Sequence, residues 1–349
     1  LGLSNLPFNH LYLNLNGDKM DFKLTAIEAA NFLGVTVQAI HKQLKTQKLD
    51  FEKSQNRVFF GHSTAQKLFS ILFKKKVIAF QIVKGGTGKT SIAHALAISA
   101  NLYGAKVLCI DLDQQGNLTQ AFRINPEECP VMIDSIKYNI PLKDAAIRVG
   151  DGLYVIPSRI ENAILDNAIM LGRCPLDYVY KDKIEPLKKQ FDLIIIDCPP
   201  AIGQSVAAAT LASDMIISPV TPEKFCLSGL KITNQELCNI EENYHKLIPM
   251  RIVLNKFDSR TTLSHEVLTS LIKHPVYGDK ILRTYIRASQ EFPNSIAKNQ
   301  SIFHTLKITT AKEDIDLLTK EILGLNETIE KIESGISLGS LEENQAHTL

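Results

Sequence analysis

The run Lys84-Gly85-Gly86-Thr87-Gly88-Lys89-Thr90 constrains this chain more than any other part of it. It follows a short apolar segment, 77–83, that reads as a strand. It precedes 91–103, which reads as a helix. A glycine-rich turn between a strand and a helix is a phosphate loop. The glycines let the backbone curl so that several N–H groups point at one anion, and the helix adds its positive end. Lys89 is placed to reach the β- and γ-phosphates, Thr90 can offer its hydroxyl to Mg²⁺, and Ser91 opens the helix behind them. The usual loop has a glycine five residues before Gly88. Here that position is Val83, and Lys84 stands at the front of the loop.

Further short apolar runs follow at Val107–Asp111, Leu153–Ile156, Leu193–Asp197, 215–218 and 252–255, mostly separated by helical patterns. Buried strands alternating with helices predict an α/β fold with a mostly parallel, doubly wound sheet. Pro219 is taken to end the run before it, since proline cannot continue a central strand. A hydrophobic fraction of 45% in 349 residues suits a sizeable core. No apolar stretch is clean enough to span a bilayer; 205–217 comes closest, and Asp214 interrupts it. The first residues lack a secretory pattern, and six scattered cysteines form no CxxC pair, so reduced thiols and a cytoplasmic location are expected.

Two carboxylate segments accompany the loop. Ile110-Asp111-Leu112-Asp113-Gln114-Gln115 ends the second core strand, and alternation puts Asp111 and Asp113 on one face if the strand continues that far. Ile196-Asp197-Cys198-Pro199-Pro200 ends another, and acids at the carboxyl ends of parallel strands sit where open α/β sheets bind ligands. Asp197 is the candidate to hold Mg²⁺ through water.

On these three segments the chain resembles the deviant P-loop ATPases of the ParA/MinD class, over residues 76 to 323. The resemblance implies ATP/ADP and Mg²⁺ as cofactors and an ATP-dependent homodimer in which Lys84 reaches the partner's nucleotide. It assigns water positioning to Asp113 and a place behind the metal to Asp111, so that Lys84, Lys89 and Asp113 form the catalytic set. It places Asn255, whose amide matches the adenine N7/N6 edge, at the base, with Pro222 and Glu223 in a loop nearby.

Residues 20–61 carry a different pattern. From Leu24 to Leu44 they read as helix, glycine turn, helix: Thr25 and Glu28 form a capping box, and Thr36 caps the second helix. Ile27, Ala30, Phe32, Leu33, Val37, Ile40 and Leu44 supply the apolar face, leaving Gln38, Ala39, Lys42 and Gln43 outward. Residues 51–60 make a two-stranded wing around Ser54-Gln55-Asn56. The layout resembles the winged helix-turn-helix of MerR-like regulators, whose second helix enters the major groove, with Gln38 and Lys42 reading bases or phosphates. Residues 1–76 hold eleven Lys/Arg against five Asp/Glu, a balance that suits nucleic acid.

The resulting division is an extension of uncertain standing (1–19), a winged DNA-binding segment (20–61), a linker helix (62–75), the ATPase domain (76–324) and an acidic tail (325–349). Larger ParA-type partition ATPases carry such an N-terminal segment. The resemblance therefore implies operator binding with repression of the chain's own operon, non-specific binding of the ATP dimer to the nucleoid, and a ParB-type centromere-binding partner. Arg283, Arg287 and Lys298 are candidates for the non-specific surface. Three alternatives are weighed. A MinD-type membrane-positioning ATPase needs a basic amphipathic C-terminal helix, whereas 325–333 is acidic. An iron–sulfur reductase needs bridging cysteines, for which Cys129 and Cys174 are poor matches. A transcription regulator with a regulatory ATPase overlaps with the partition reading.

Overall fold

The computed structural model describes residues 20, 22–54, 57–223, 226–298 and 300–325. The extension 1–19, the wing turn at Gln55 and Asn56 and the tail beyond Leu325 lie outside them. The first elements among the described residues form a small antiparallel sheet in the order β1-β3-β2: β1 (Leu24–Thr25), β2 (Glu52–Ser54) and β3 (Arg57–Phe60). Between β1 and β2 run α1 (Ala26–Leu33) and α2 (Val37–Thr46). The capping box is formed: Thr25 N donates to Glu28 Oε2 at 2.8 Å and Glu28 N to Thr25 Oγ1 at 3.2 Å. Gly34, in the left-handed region at φ 63°, ends α1, and Thr36 Oγ1 accepts from Ala39 N at 3.2 Å to start α2. Ala30, Phe32, Ile40 and Leu44 are buried as the periodicity predicts, but Ile27 is 44% exposed, because the covering elements meet α1 on its Ala26, Ala29 and Ala30 side.

The predicted linker helix is shorter than 62–75. α3 (His62–Phe69) stops where Ser70 turns left-handed at φ 47°, and Leu72, counted on its apolar face, is 88% exposed. α3 is also no tether. It packs so closely on the end of the phosphate-loop helix that a Cβ on Gly104 would stand 2.6 Å from Gln66 Cα.

The second sheet has seven strands in the order β10-β9-β4-β8-β5-β7-β6. They are β4 (Lys76–Phe80), β5 (Val107–Asp111), β6 (Ile147–Gly150), β7 (Leu153–Ile156), β8 (Leu193–Asp197), β9 (Met215–Val220) and β10 (Met250–Leu254). All neighbours are parallel except β6 and β7, an edge hairpin that the sequence pattern missed on its β6 side. Pro219 does not end its strand. β9 runs on to Val220, and Pro219 is tolerated because β4 pairs with β9 only as far as Ile217, leaving no ladder on that side to need its missing N–H.

α4 (Lys89–Leu102) is buried almost all round, with the sheet on one side and α3 and the helix Thr310–Leu323 on the other. One apolar cluster runs from Phe32 and Phe69 through Leu96 and Ile98 to Ile195 and Leu318. Phe32 meets Phe69 with ring centroids at 5.0 Å and Tyr103 at 4.5 Å. A side chain this buried contributes roughly 1.5–3 kcal/mol, so the N-terminal segment shares the core of the sheet domain. A second cluster, including Ile110, Ile196, Leu211 and Leu237, fills the opposite face.

Parallel register delivers the site. β4, β5 and β8 finish at one edge, with Phe80 and Asp111 both opposite Asp197.

Candidate functional site

Chain leaving β4 at that edge turns through Lys84 to Gly88 and enters α4, which begins at Lys89, two residues before the predicted start. The residues predicted to hold phosphate are in the loop and first helical turn: Gly85, Gly86, Gly88, Lys89, Thr90 and Ser91 line one cavity of about 1190 Å³. Thr87 is buried behind it. Lys89 is buried, and its Nζ donates to Lys84 O at 3.2 Å. Burial pushes its ammonium pKa down, against the nearby Asp197 and Asp113 carboxylates.

Thr90 Oγ1 donates to Asp197 Oδ2 at 2.7 Å. The other oxygen, Asp197 Oδ1, is buried and has no partner among the described residues. Desolvation and the facing Asp111 carboxylate push the Asp197 pKa up. Asp111 is fully buried, and its oxygens are taken by Thr119 N at 2.9 Å, Thr119 Oγ1 at 2.7 Å and Asp113 N at 3.2 Å. Two buried carboxylates in register, one with an oxygen that no described group satisfies, suit a cation. Mg²⁺ usually takes one or two carboxylates and completes its shell with water and phosphate, so the donors Thr90 and Asp197 fit it.

Asp111 and Asp113 do not share a strand face. β5 ends at Asp111, and Asp113 lies beyond it in a turn, its Oδ1 accepting from Gln115 N at 3.0 Å. This break brings Asp113 into the cavity wall and keeps Asp111 behind it.

Asn255 follows β10 and lines the cavity, but its amide is first a strut. Nδ2 donates to Thr87 O at 2.7 Å, and Oδ1 accepts from Lys256 N at 2.9 Å. Lys256 Nζ donates to Gly86 O at 3.1 Å. Pro222 and Glu223 are not among the lining residues. Glu223 Oε2 instead holds Lys84 Nζ at 2.6 Å within the same chain, which with the Thr221 hydroxyl keeps the Glu223 carboxyl below its ordinary range. Other parts of the wall carry no sequence signal, among them His94, Lys256, Asp258, Arg260 and 288–290, and Arg287, expected on a DNA surface, lines the cavity as well. The segment 281–288 joins the β10 edge through Leu282 N to Ile252 O and Ile286 N to Leu254 O, both at 2.8 Å. No periodicity announces such an irregular edge.

On α2, Gln38 and Lys42 are exposed, as predicted. Ala39 and Gln43 are half-buried on the flank beside Ile40 and Leu44, so they do not point fully outward. Arg283 and Lys298 are exposed. Arg287 is not a free basic residue: its guanidinium grips Asp314 at 2.6 Å and Glu313 at 3.3 Å. No helix among the described residues is long and apolar enough to cross a membrane.

A family model described as an AAA domain matches residues 75–250, half of the chain. A virulence plasmid ParA family protein of Chlamydia psittaci is 30% identical over 254 residues, covering 71% of this chain and 94% of that one. Among solved structures, the ATP complex of McdA from Cyanothece superposes with a TM-score of 0.64 at 22% identity, covering 72% and 98%. Cobyrinic acid a,c-diamide synthase of Mycobacterium smegmatis with ADP and magnesium gives 0.60 at 23%, covering 71% and 94%. At these identities the two structures establish the fold.

Proposed function

The chain belongs to the ParA-type partition ATPases, and from that premise we propose that it hydrolyses ATP with Mg²⁺ and uses the cycle to bind and release DNA during segregation. The observation that carries the proposal is the Thr90–Asp197 pair with its orphaned buried oxygen beside Lys89, under a loop of glycine N–H groups.

The residues divide the work as follows. Backbone N–H groups of residues 85–90 and the Lys89 ammonium hold the phosphates. Thr90 and, through water, Asp197 would hold Mg²⁺, with Asp111 behind them; bound there, the ion neutralises charge on the phosphate oxygens. Asp113 orients the attacking water from the cavity wall. Lys84 is delivered to the nucleotide of a second copy, where a cation offsets developing charge. In the single chain Glu223 holds Lys84, so dimerisation exchanges that ion pair for a phosphate contact.

Residues 20–61 read an operator through Gln38 and Lys42, repressing the chain's own operon, while residues 76–324 carry the ATPase. Arg283 and Lys298 serve non-specific contact with nucleoid DNA in the cytoplasm, and a ParB-type protein triggers release. The test uses two variants. Lys89→Ala loses ATP binding, and Asp113→Ala binds ATP, stalls hydrolysis and accumulates dimer. Unchanged ATP affinity in the first or wild-type turnover in the second refutes the assignment.

A further inference from the structure

The wall of the cavity beside β10 carries a feature that the phosphate chemistry does not use. Asn255 and Lys256 pin this turn to the loop through Thr87 O and Gly86 O, and Asp258 and Arg260 line the cavity beyond them. Asp113 and Asp258 are the only carboxylates among the described lining residues, and Asp113 belongs to the phosphate end.

Arg260 occupies both oxygens of Asp258. Its Nε donates to Oδ1 and its Nη2 to Oδ2, each at 2.9 Å, and its backbone N donates to Oδ1 at 3.0 Å. The Arg260 side chain is 86% exposed, and its only ion pair among the described residues is with Asp258.

Beside N7 adenine offers an N6 donor and guanine an O6 acceptor, and the two purines differ again at the base-pairing edge. The amide hydrogen that Asn255 has left over suits N7, an acceptor in both purines, and by itself does not discriminate. Guanine presents two adjacent donors, N1–H and the N2 amino group, which a carboxylate accepts side by side. Adenine presents an N1 lone pair, which a carboxylate repels. The Arg260 fork fills the same two acceptors that guanine would take.

We propose that Asp258 and Arg260 form the purine selector of this site: Arg260 caps the carboxylate, denies it to guanine and keeps the base end for adenine. The selector rests on the nucleotide reading given above. Removing Arg260 exposes a guanine-reading carboxylate without disturbing the core, since the arginine is a surface side chain.

The test titrates the full chain with the Mg²⁺ complexes of AMPPNP and GMPPNP by calorimetry. The wild type prefers the adenine analogue. Arg260→Ala moves the ratio of the two dissociation constants toward guanine by roughly tenfold to a hundredfold, the range for one bidentate base contact. Adding Asp258→Asn to Arg260→Ala reverses the gain. A ratio unchanged within about twofold in Arg260→Ala, with AMPPNP still bound, overturns the selector and leaves the nucleotide reading standing. A wild type that binds neither analogue overturns both.

Discussion

Gly88 and Asn255 are coupled, and a double-mutant cycle reads the coupling directly. Gly88 has φ 94°, and a Cβ built on it would lie 2.2 Å from Asn255 Nδ2. Gly88→Ala therefore carries two costs. Holding an alanine left-handed costs about 1–2 kcal/mol. Expelling the Asn255 amide leaves Thr87 O without its buried partner, which costs about 1–3 kcal/mol, so the single variant loses roughly 2–5 kcal/mol in all. Asn255→Ala alone pays only the second cost. In the double variant the clash is gone and the lost hydrogen bond is counted once, so it is more stable than the sum of the singles by about 1–3 kcal/mol. Thermal midpoints of the four proteins without nucleotide measure this, each kcal/mol moving the midpoint by roughly 2–4 °C. Additivity within about 0.5 kcal/mol refutes the strut between Asn255 and the phosphate loop.

Three other outcomes follow from the geometry. His94 is buried against Phe122, and burial lowers its pKa to about 4. The unfolded chain takes up that proton near pH 6.5 and the folded chain does not, so stability falls as pH drops from about 6.5 toward 4, by roughly 3 kcal/mol in total. His94→Leu flattens that slope in melts between pH 7.5 and 5, and an unchanged slope rules His94 out as its source. A Cβ on Gly152, itself at φ 67°, would strike the His62 ring at 2.2 Å, so Gly152→Ala lowers the melting midpoint and loosens the N-terminal segment from α4, read as faster proteolysis within 20–61. Wild-type protease resistance there means the junction yields elsewhere. Gln38→Ala with Lys42→Ala abolishes operator binding in footprinting while ATP turnover persists; retained footprints make the two helices purely structural.

The phosphate loop, both acid-ending strands and both helix caps were legible in sequence, because each is a local pattern: consecutive glycines, an apolar run closed by aspartate, Thr-x-x-Glu. The errors arose where distant packing decides. Leu72 fits a helical period, yet the chain had already turned at Ser70. Pro219 breaks a central strand only where neighbours pair on both sides, and β4 has left by then. Arg287 looks like free positive charge until Asp314, twenty-seven residues on, is folded against it. Glu223 and Lys84, 139 residues apart, became partners by the same route.

The measurement that bears most directly on the segregation reading is the affinity of the purified chain for a random-sequence duplex, with ATP, with ADP and without nucleotide. Salt is held at one concentration because phosphate contacts make affinity steeply salt-dependent. A nucleotide-switched partition ATPase binds tightly with ATP alone. Binding that ignores nucleotide, or that appears only on an operator, contradicts the DNA-moving role and leaves a regulator in its place.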